Sequence, residues 1–155
     1  MRIRRATFAD MDAIGAIVNA AFSVETFFDG TRTDHVRMAE AMKSGEFLVA
    51  TDAADRVAGC VYVERRQTRG YFGMLAVDPA SQGQGLGLML VAAAEDWCRV
   101  RGLEGIDITV LDLRPELLSF YGKLGYRWTR EEDFHPSQPL KPGVICRSIV
   151  LSKPI

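Results

Sequence analysis

Leu75-Ala76-Val77-Asp78-Pro79-Ala80-Ser81-Gln82-Gly83-Gln84-Gly85-Leu86-Gly87-Leu88 runs from an apolar strand through a glycine-rich turn into an amphipathic helix. Asp78-Pro79 ends the strand, because proline has no N–H to give to a ladder. Glycines in the turn accept positive φ and let the backbone come close to a ligand. The first N–H groups of the following helix have no internal partner and lie at the positive end of its dipole. Such a strand–turn–helix unit is an anion site, and phosphate is the usual anion. The plainer alternative for the turn alone is a tight connection with solvated amides. A Walker loop needs Gly-Lys-[Ser/Thr], whereas Leu88 follows Gly87. A dinucleotide fingerprint counted from Gly83 needs glycine or alanine at 88 and normally opens the fold.

Outward from the turn, the chain alternates strands and helices. Ile3 to Arg5 reads as an edge strand. Thr7-Phe8-Ala9-Asp10 has the form of a capping box, and Met11, Ile14, Ile17, Val18, Ala21 and Phe22 continue at helical spacing over 9–22. A loop at 23–32 leads to a weaker helix from Asp34 to Met42, stopped near Gly45. Phe47–Ala50, Val57–Val63 and Tyr71–Val77 form a strand meander. A helix from Gly85 to Val100 carries Leu86, Leu90, Ala93, Ala94 and Trp97 on one face. Ile106, Ile108 and Val110 alternate with polar residues as a strand. Pro115 opens a helix with Leu117, Phe120, Tyr121 and Leu124 on one face and Gly125 at its end. Tyr126–Thr129 and Val144–Leu151 close the sheet around a loop from His135 to Pro142. The order β-α-α-β-β-β-α-β-α-β-β predicts one α/β domain over residues 1–155, with a mixed sheet of about seven strands flanked by about four helices.

Composition bounds the function. The chain has 155 residues, 48% of them hydrophobic and 25% charged, which excludes disorder. With 19 basic against 20 acidic side chains, no nucleic-acid footprint is expected. Met1-Arg2-Ile3-Arg4-Arg5 is followed by no apolar run, so it is not read as a secretory signal. No apolar stretch approaches the roughly 18 residues of a membrane helix, so no membrane partner is expected. Cys60, Cys98 and Cys146 are dispersed, as suits reduced thiols in the cytoplasm. His35 and His135 lie far apart without ligand spacing, so no metal is expected.

Gln82-x-x-Gly85-x-Gly87 after Leu75-Ala76-Val77-Asp78-Pro79, followed later by Phe120-Tyr121-Gly122-Lys123-Leu124-Gly125-Tyr126, resembles the GNAT superfamily of N-acetyltransferases. The element order extends the resemblance over essentially the whole chain. It implies acetyl-CoA as co-substrate and a sheet splayed beside the strand that precedes the turn. By resemblance, main-chain groups of Leu75, Ala76 and Val77 pair with the pantetheine arm, and one N–H polarises the thioester carbonyl. Gln82, Gly83, Gln84, Gly85, Leu86, Gly87 and Leu88 then hold the pyrophosphate. Tyr121 is the candidate general acid for the departing thiolate. Phenol and thiol pKa values of about 10 and 8.5 make that transfer uphill in water, so the role demands a positioned tyrosine. The plainer alternative is a core tyrosine.

The chain departs from the family pattern in two places. Arg114 stands where an asparagine often contacts the cofactor; it reads as a phosphate or pantetheine contact or as a solvated helix-start residue. Tyr71 and Thr109 occupy the places where some members carry a glutamate base. Glu25, Asp29 and Glu64 are the carboxylates that would serve if one lined a cleft, though all three read as solvated surface. The acceptor side is implied to come from the loops 24–33 and 134–142. Phe27 and Phe28 there read as anchors to the core, and His135 as a bystander.

The resulting expectation is direct attack by a primary amine, on a small molecule or a peptide, in a ternary complex. Cys60 and Cys98 fall in core segments and are not expected to carry an acyl group. Without a recognisable base, an acyl-CoA-binding sensor on the same fold is the alternative. A longer acyl donor or a hydroxyl acceptor would keep the enzyme and change its chemistry. Edge strands of this family often pair, so the resemblance also implies a homodimer.

Overall fold

Alternating apolar residues make the central strands two-sided. Phe47, Val49, Cys60 and Tyr62 face one layer, while Leu48, Ala50, Val61 and Val63 face the other. Strands covered on both faces need helices above and below. The computed structural model, which describes residues 1–136 and 138–155, supplies them. The strands are β1 (Arg2–Arg5), β2 (Gly45–Thr51), β3 (Val57–Arg66), β4 (Arg69–Val77), β5 (Gly105–Leu111), β6 (Arg127–Asp133) and β7 (Arg147–Pro154). The helices are α1 (Met11–Ala21), α2 (His35–Ala41), α3 (Leu86–Val100) and α4 (Pro115–Lys123). Sheet order is β1-β2-β3-β4-β5-β7-β6. All neighbours are antiparallel except β4 and β5. Met11, Ile14, Val18 and Met38 bring α1 and α2 onto one face. Leu86, Leu90, Ala94 and Tyr121 bring α3 and α4 onto the other.

The expected element order is the observed one, with shifted ends. A single-turn 3-10 segment, Phe8–Asp10, precedes α1. The Thr7 N–H donates to Asp10 Oδ2 at 2.7 Å, and Arg4 grips the same carboxylate at 2.8 and 3.0 Å. Gly45 opens β2 rather than merely stopping α2, which is already closed by turns through Ser44. β6 extends to Asp133, beyond the expected Thr129, and β7 starts at Arg147 instead of Val144. β6 is an edge strand with an exposed face, so charged residues continue it without a burial penalty. Arg147 bridges Glu131 and Asp133 across the pair at 3.2 and 2.8 Å.

Candidate active site

β4 and β5 pair only at Gly70↔Ile106 and Tyr71↔Asp107. That short joint is pinned by Arg69, which forks onto Asp107 at 2.9 and 2.8 Å, with the Ser152 hydroxyl donating to Asp107 at 2.6 Å. Past it the strands part, and a bulge in β4 marks the place. Tyr62 opposes Gly73 and Cys60 opposes Ala76, so Met74 and Leu75 together face Val61. Met74 takes φ +47°, an uncommon conformation for a side chain of its size. A bulge bends and twists its strand, re-aiming the groups that follow.

The opening is a cleft of about 600 Å³. Phe72 to Val77 form one wall and Ile108 to Leu111 the other. Leu75, Ala76 and Val77 therefore lie on the cleft wall. Val77, Gln82, Gly87 and Phe120 also border a second hollow of about 210 Å³ over the glycine turn, with Gly83, Gly85, Leu86 and Leu88. Gln84 is exposed and borders neither hollow.

The turn has the geometry of an anion cradle. Gly83 and Gly85 have φ of +83° and +75°, which only glycine adopts without strain. Gly85 is the N-cap of α3 and brings no side chain to cap it, and the first turn of α3 holds no acidic residue. The first helical N–H bond is that of Met89 to Gly85, leaving the amides of Leu86, Gly87 and Leu88 without intrahelical acceptors. A Cβ built on Gly83, Gly85 or Gly87 would meet nothing within 4 Å, so the space above the turn is open. These residues fit a pyrophosphate.

Tyr121 reaches the cleft from α4 and is 8% exposed. Its ring packs edge-on against Phe72, Phe120 and Tyr126 at 5.9, 5.0 and 5.8 Å. The local sequence fixes its place. Gly125, at φ +95°, ends α4, and the Tyr126 and Gly125 N–H groups donate to the Tyr121 and Gly122 carbonyls. That is a Schellman motif, with the Tyr121–Tyr126 contact as its apolar clasp. The Tyr-x-x-x-Gly-Tyr pattern is thus a helix stop that holds one tyrosine toward the cleft. Burial pushes the Tyr121 phenol above its ordinary pKa. The hydroxyl makes no hydrogen bond to any described residue.

Arg114 is the N-cap of α4 and borders the cleft, but its guanidinium is engaged by Glu25 at 2.6 Å and by Glu116. This corrects the reading of Glu25 as solvated: it is 8% exposed and lines the cleft. Burial is tolerated because Arg114 meets its carboxylate. Glu64 is also buried, paired with Arg66 and touched by Tyr62, but it lies outside the cleft lining. Asp29 is exposed. Tyr71 and Thr109 face each other across the joint with hydroxyls 3.5 Å apart.

The two loops implied for the acceptor are bonded to each other. Asp29 N–H donates to the Pro139 carbonyl and Lys141 N–H to that of Phe27, each at 2.9 Å. Gln138 Nε2 donates to the Gly30 carbonyl at 2.9 Å. Phe28 anchors this wall against Phe134 and faces the cleft, with His135 at the rim; Ser137 of the same loop lies outside the described residues. Arg32, which sequence reasoning passed over, also lines the cleft. Burial pushes the Cys60 and Cys98 thiols up to about 12 and about 11, and neither lines the cleft. Among the described residues no group of three His, Cys, Asp or Glu could hold a metal ion, and no helix is long and apolar enough to cross a membrane.

Comparison with known proteins agrees with this geometry. The chain is 30% identical over 130 residues to a mycothiol acetyltransferase of Actinosynnema mirum, a match covering 81% of this chain and 44% of that protein. The chain spans about half the length of the curated relatives it matches. The ribosomal-protein-S18-alanine N-acetyltransferase of Escherichia coli superimposes with a TM-score of 0.78 at 18% identity, over 99% of this chain and 93% of the other. A Bacillus subtilis acetyltransferase solved in complex with CoA gives 0.77 at 19% identity, over 99% and 98%. Residues 13–126 match the Acetyltransferase (GNAT) family, and the chain belongs to it.

Proposed function

We propose that the chain is an acetyl-CoA-dependent N-acetyltransferase that acylates a primary amine, on a small molecule or peptide, by direct attack in a ternary complex, with residues 1–155 acting as one domain. The observation that carries this is the continuity of the parted β4–β5 cleft with the uncapped start of α3 at one end and Tyr121 at its wall. Acetyl-CoA supplies the activated thioester. Main-chain groups of Leu75, Ala76 and Val77 offer the parted strand edge to the pantetheine arm, and a β4 N–H steadies the oxyanion. The amides of residues 83–88 hold the pyrophosphate, with Gln82 at the mouth of the cleft. Arg114, tied to Glu25, sets that carboxylate in the cleft and takes no direct part in holding the cofactor. Glu25 keeps one oxygen free for the acceptor's ammonium and accepts its proton.

Tyr121 delivers a proton to the leaving thiolate. The raised phenol keeps that proton at neutral pH. A thiolate formed in the same buried cleft is desolvated too, which offsets the uphill transfer. The high pKa of the buried cysteines argues against a covalent acyl-cysteine. The name of the ribosomal-protein-S18-alanine N-acetyltransferase, whose fold this chain shares, supports transfer to a nitrogen acceptor.

Tyr121→Phe tests the assignment. Thiol release should fall by about 10²–10⁴, the span of general acid catalysis, with acetyl-CoA affinity within about twofold of wild type. Full turnover with an unchanged pH profile would remove Tyr121 from the chemistry. Tight acetyl-CoA binding without thiol release from any amine would favour the sensor reading.

A further inference from the structure

β4 traverses the cleft from Tyr71 to Val77, and the glycine turn follows directly. The cofactor end is therefore the Val77 end, which leaves the Tyr71 end for the acceptor. Arg32 lines the cleft there, near enough to Tyr71 and Glu25 to interact with both and stacked over Phe22; those three also line it. Arg32 is half-buried, with its guanidinium over the Phe22 ring at 5.2 Å. Its side chain makes no hydrogen bond or ion pair with any described residue. The other half-buried arginines are all engaged: Arg4 by Asp10, Arg37 by Asp34, Arg69 by Asp107 and Arg114 by Glu25. Glu25 acts on Arg32 only through space, without a bond between them, and already gives Oε2 to Arg114.

Withdrawing a cation from water without a bonded partner is unfavourable, and burial pushes the Arg32 pKa down despite the nearby charge of Glu25. A planar fork of this kind matches a carboxylate or a phosphate. We infer that the acceptor carries an anionic group beside its amine, and that Arg32 receives that group while Glu25 faces the ammonium. The inference rests on the acetyltransferase reading and specifies its acceptor as a zwitterion: an amino acid or peptide carboxylate, or an amine bearing a phosphate ester.

Matched acceptors test it. Wild type and Arg32→Gln are assayed for thiol release with L-amino acids against their carboxamides, and with an amino-sugar phosphate against the unphosphorylated amino sugar. In at least one pair kcat/KM should favour the anionic member by about 10- to 100-fold, the reach of a charge-assisted bond. Arg32→Gln should bring that ratio close to one, and Arg32→Lys should restore part of it. The pair that shows the preference identifies carboxylate or phosphate. Equal use of both members in each pair by wild type, or a preference that survives Arg32→Gln, overturns the inference.

A second readout does not depend on turnover. Calorimetric titration of CoA-loaded protein with N-acetylglycine and with inorganic phosphate should show at least tenfold weaker binding of one of them to Arg32→Gln. Equal affinity, or no binding of either to wild type, overturns the anion site even if an amine is acetylated. Loss of the acetyltransferase reading is recognised separately, by absence of acetyl-CoA binding to wild type.

Discussion

Asp10 shows how one carboxylate can organise a chain terminus. It receives both Arg4 and the Thr7 N–H, and those bonds hold its pKa down at about 2. A depressed carboxylate stabilises the fold above its unfolded pKa, near 4, and that contribution is lost as pH falls toward 2. Asp10→Asn should therefore lower Tm at pH 7, and the gap from wild type should close between about pH 4 and pH 2 in thermal melts. Asp10 was legible in the sequence because its capping partner is three residues away. Glu25 was not, because the arginine that permits its burial lies 89 residues further on. Arg32 was missed for a related reason: a lone arginine in a polar loop carries no local sign that it turns inward. Leu75, Ala76, Val77 and Tyr121 are singled out through the resemblance of their short motifs to a family pattern, and all four line the cleft.

At the scale of elements, α4 is as much defined by its end as by its apolar face. Gly125 completes the Schellman turn whose first carbonyl belongs to Tyr121. Gly125→Ala forces an L side chain into the left-handed region, at about 1–2 kcal/mol. Tm should drop by on the order of 2–8 °C for a chain of this size, read by calorimetry. At the other end of the cleft, Gly87 has ordinary helical backbone and open space above it. Gly87→Glu should leave Tm within about 2 °C while abolishing the thermal shift given by acetyl-CoA, because a carboxylate then occupies the anion cradle. Hydrophobic periodicity located every strand and helix. It misjudged the end of β6, where cross-strand ion pairs rather than apolar residues extend the ladder, and the start of β7, where Val144 and Ile145 stay outside it. The bulge at Met74 left no mark in the sequence, since neither glycine nor asparagine occupies the left-handed position.

For the whole molecule, the sheet is two halves meeting at one short parallel joint, β1 to β4 on one side and β5 to β7 on the other. Helix α3 spans the junction, contributing Leu90 and Ala94 to a layer that also contains Val61 of β3 and Ile106 of β5. A ligand seated in the cleft joins the halves, so its binding should register as global stability. Acetyl-CoA at about 100 times its Kd should add about 2.7 kcal/mol, a rise in Tm on the order of 5–10 °C.

The parted strands have a consequence for hydrogen exchange. Beyond Tyr71, β4 has no residue paired with β5, although both strands run through the middle of the sheet. Amide protons of β4 that face the gap should therefore trade with deuterated solvent far faster than those facing β3, giving a central strand protected along one edge only. Acetyl-CoA should slow the exposed edge selectively, and the residues it slows would trace the path of the pantetheine through the protein.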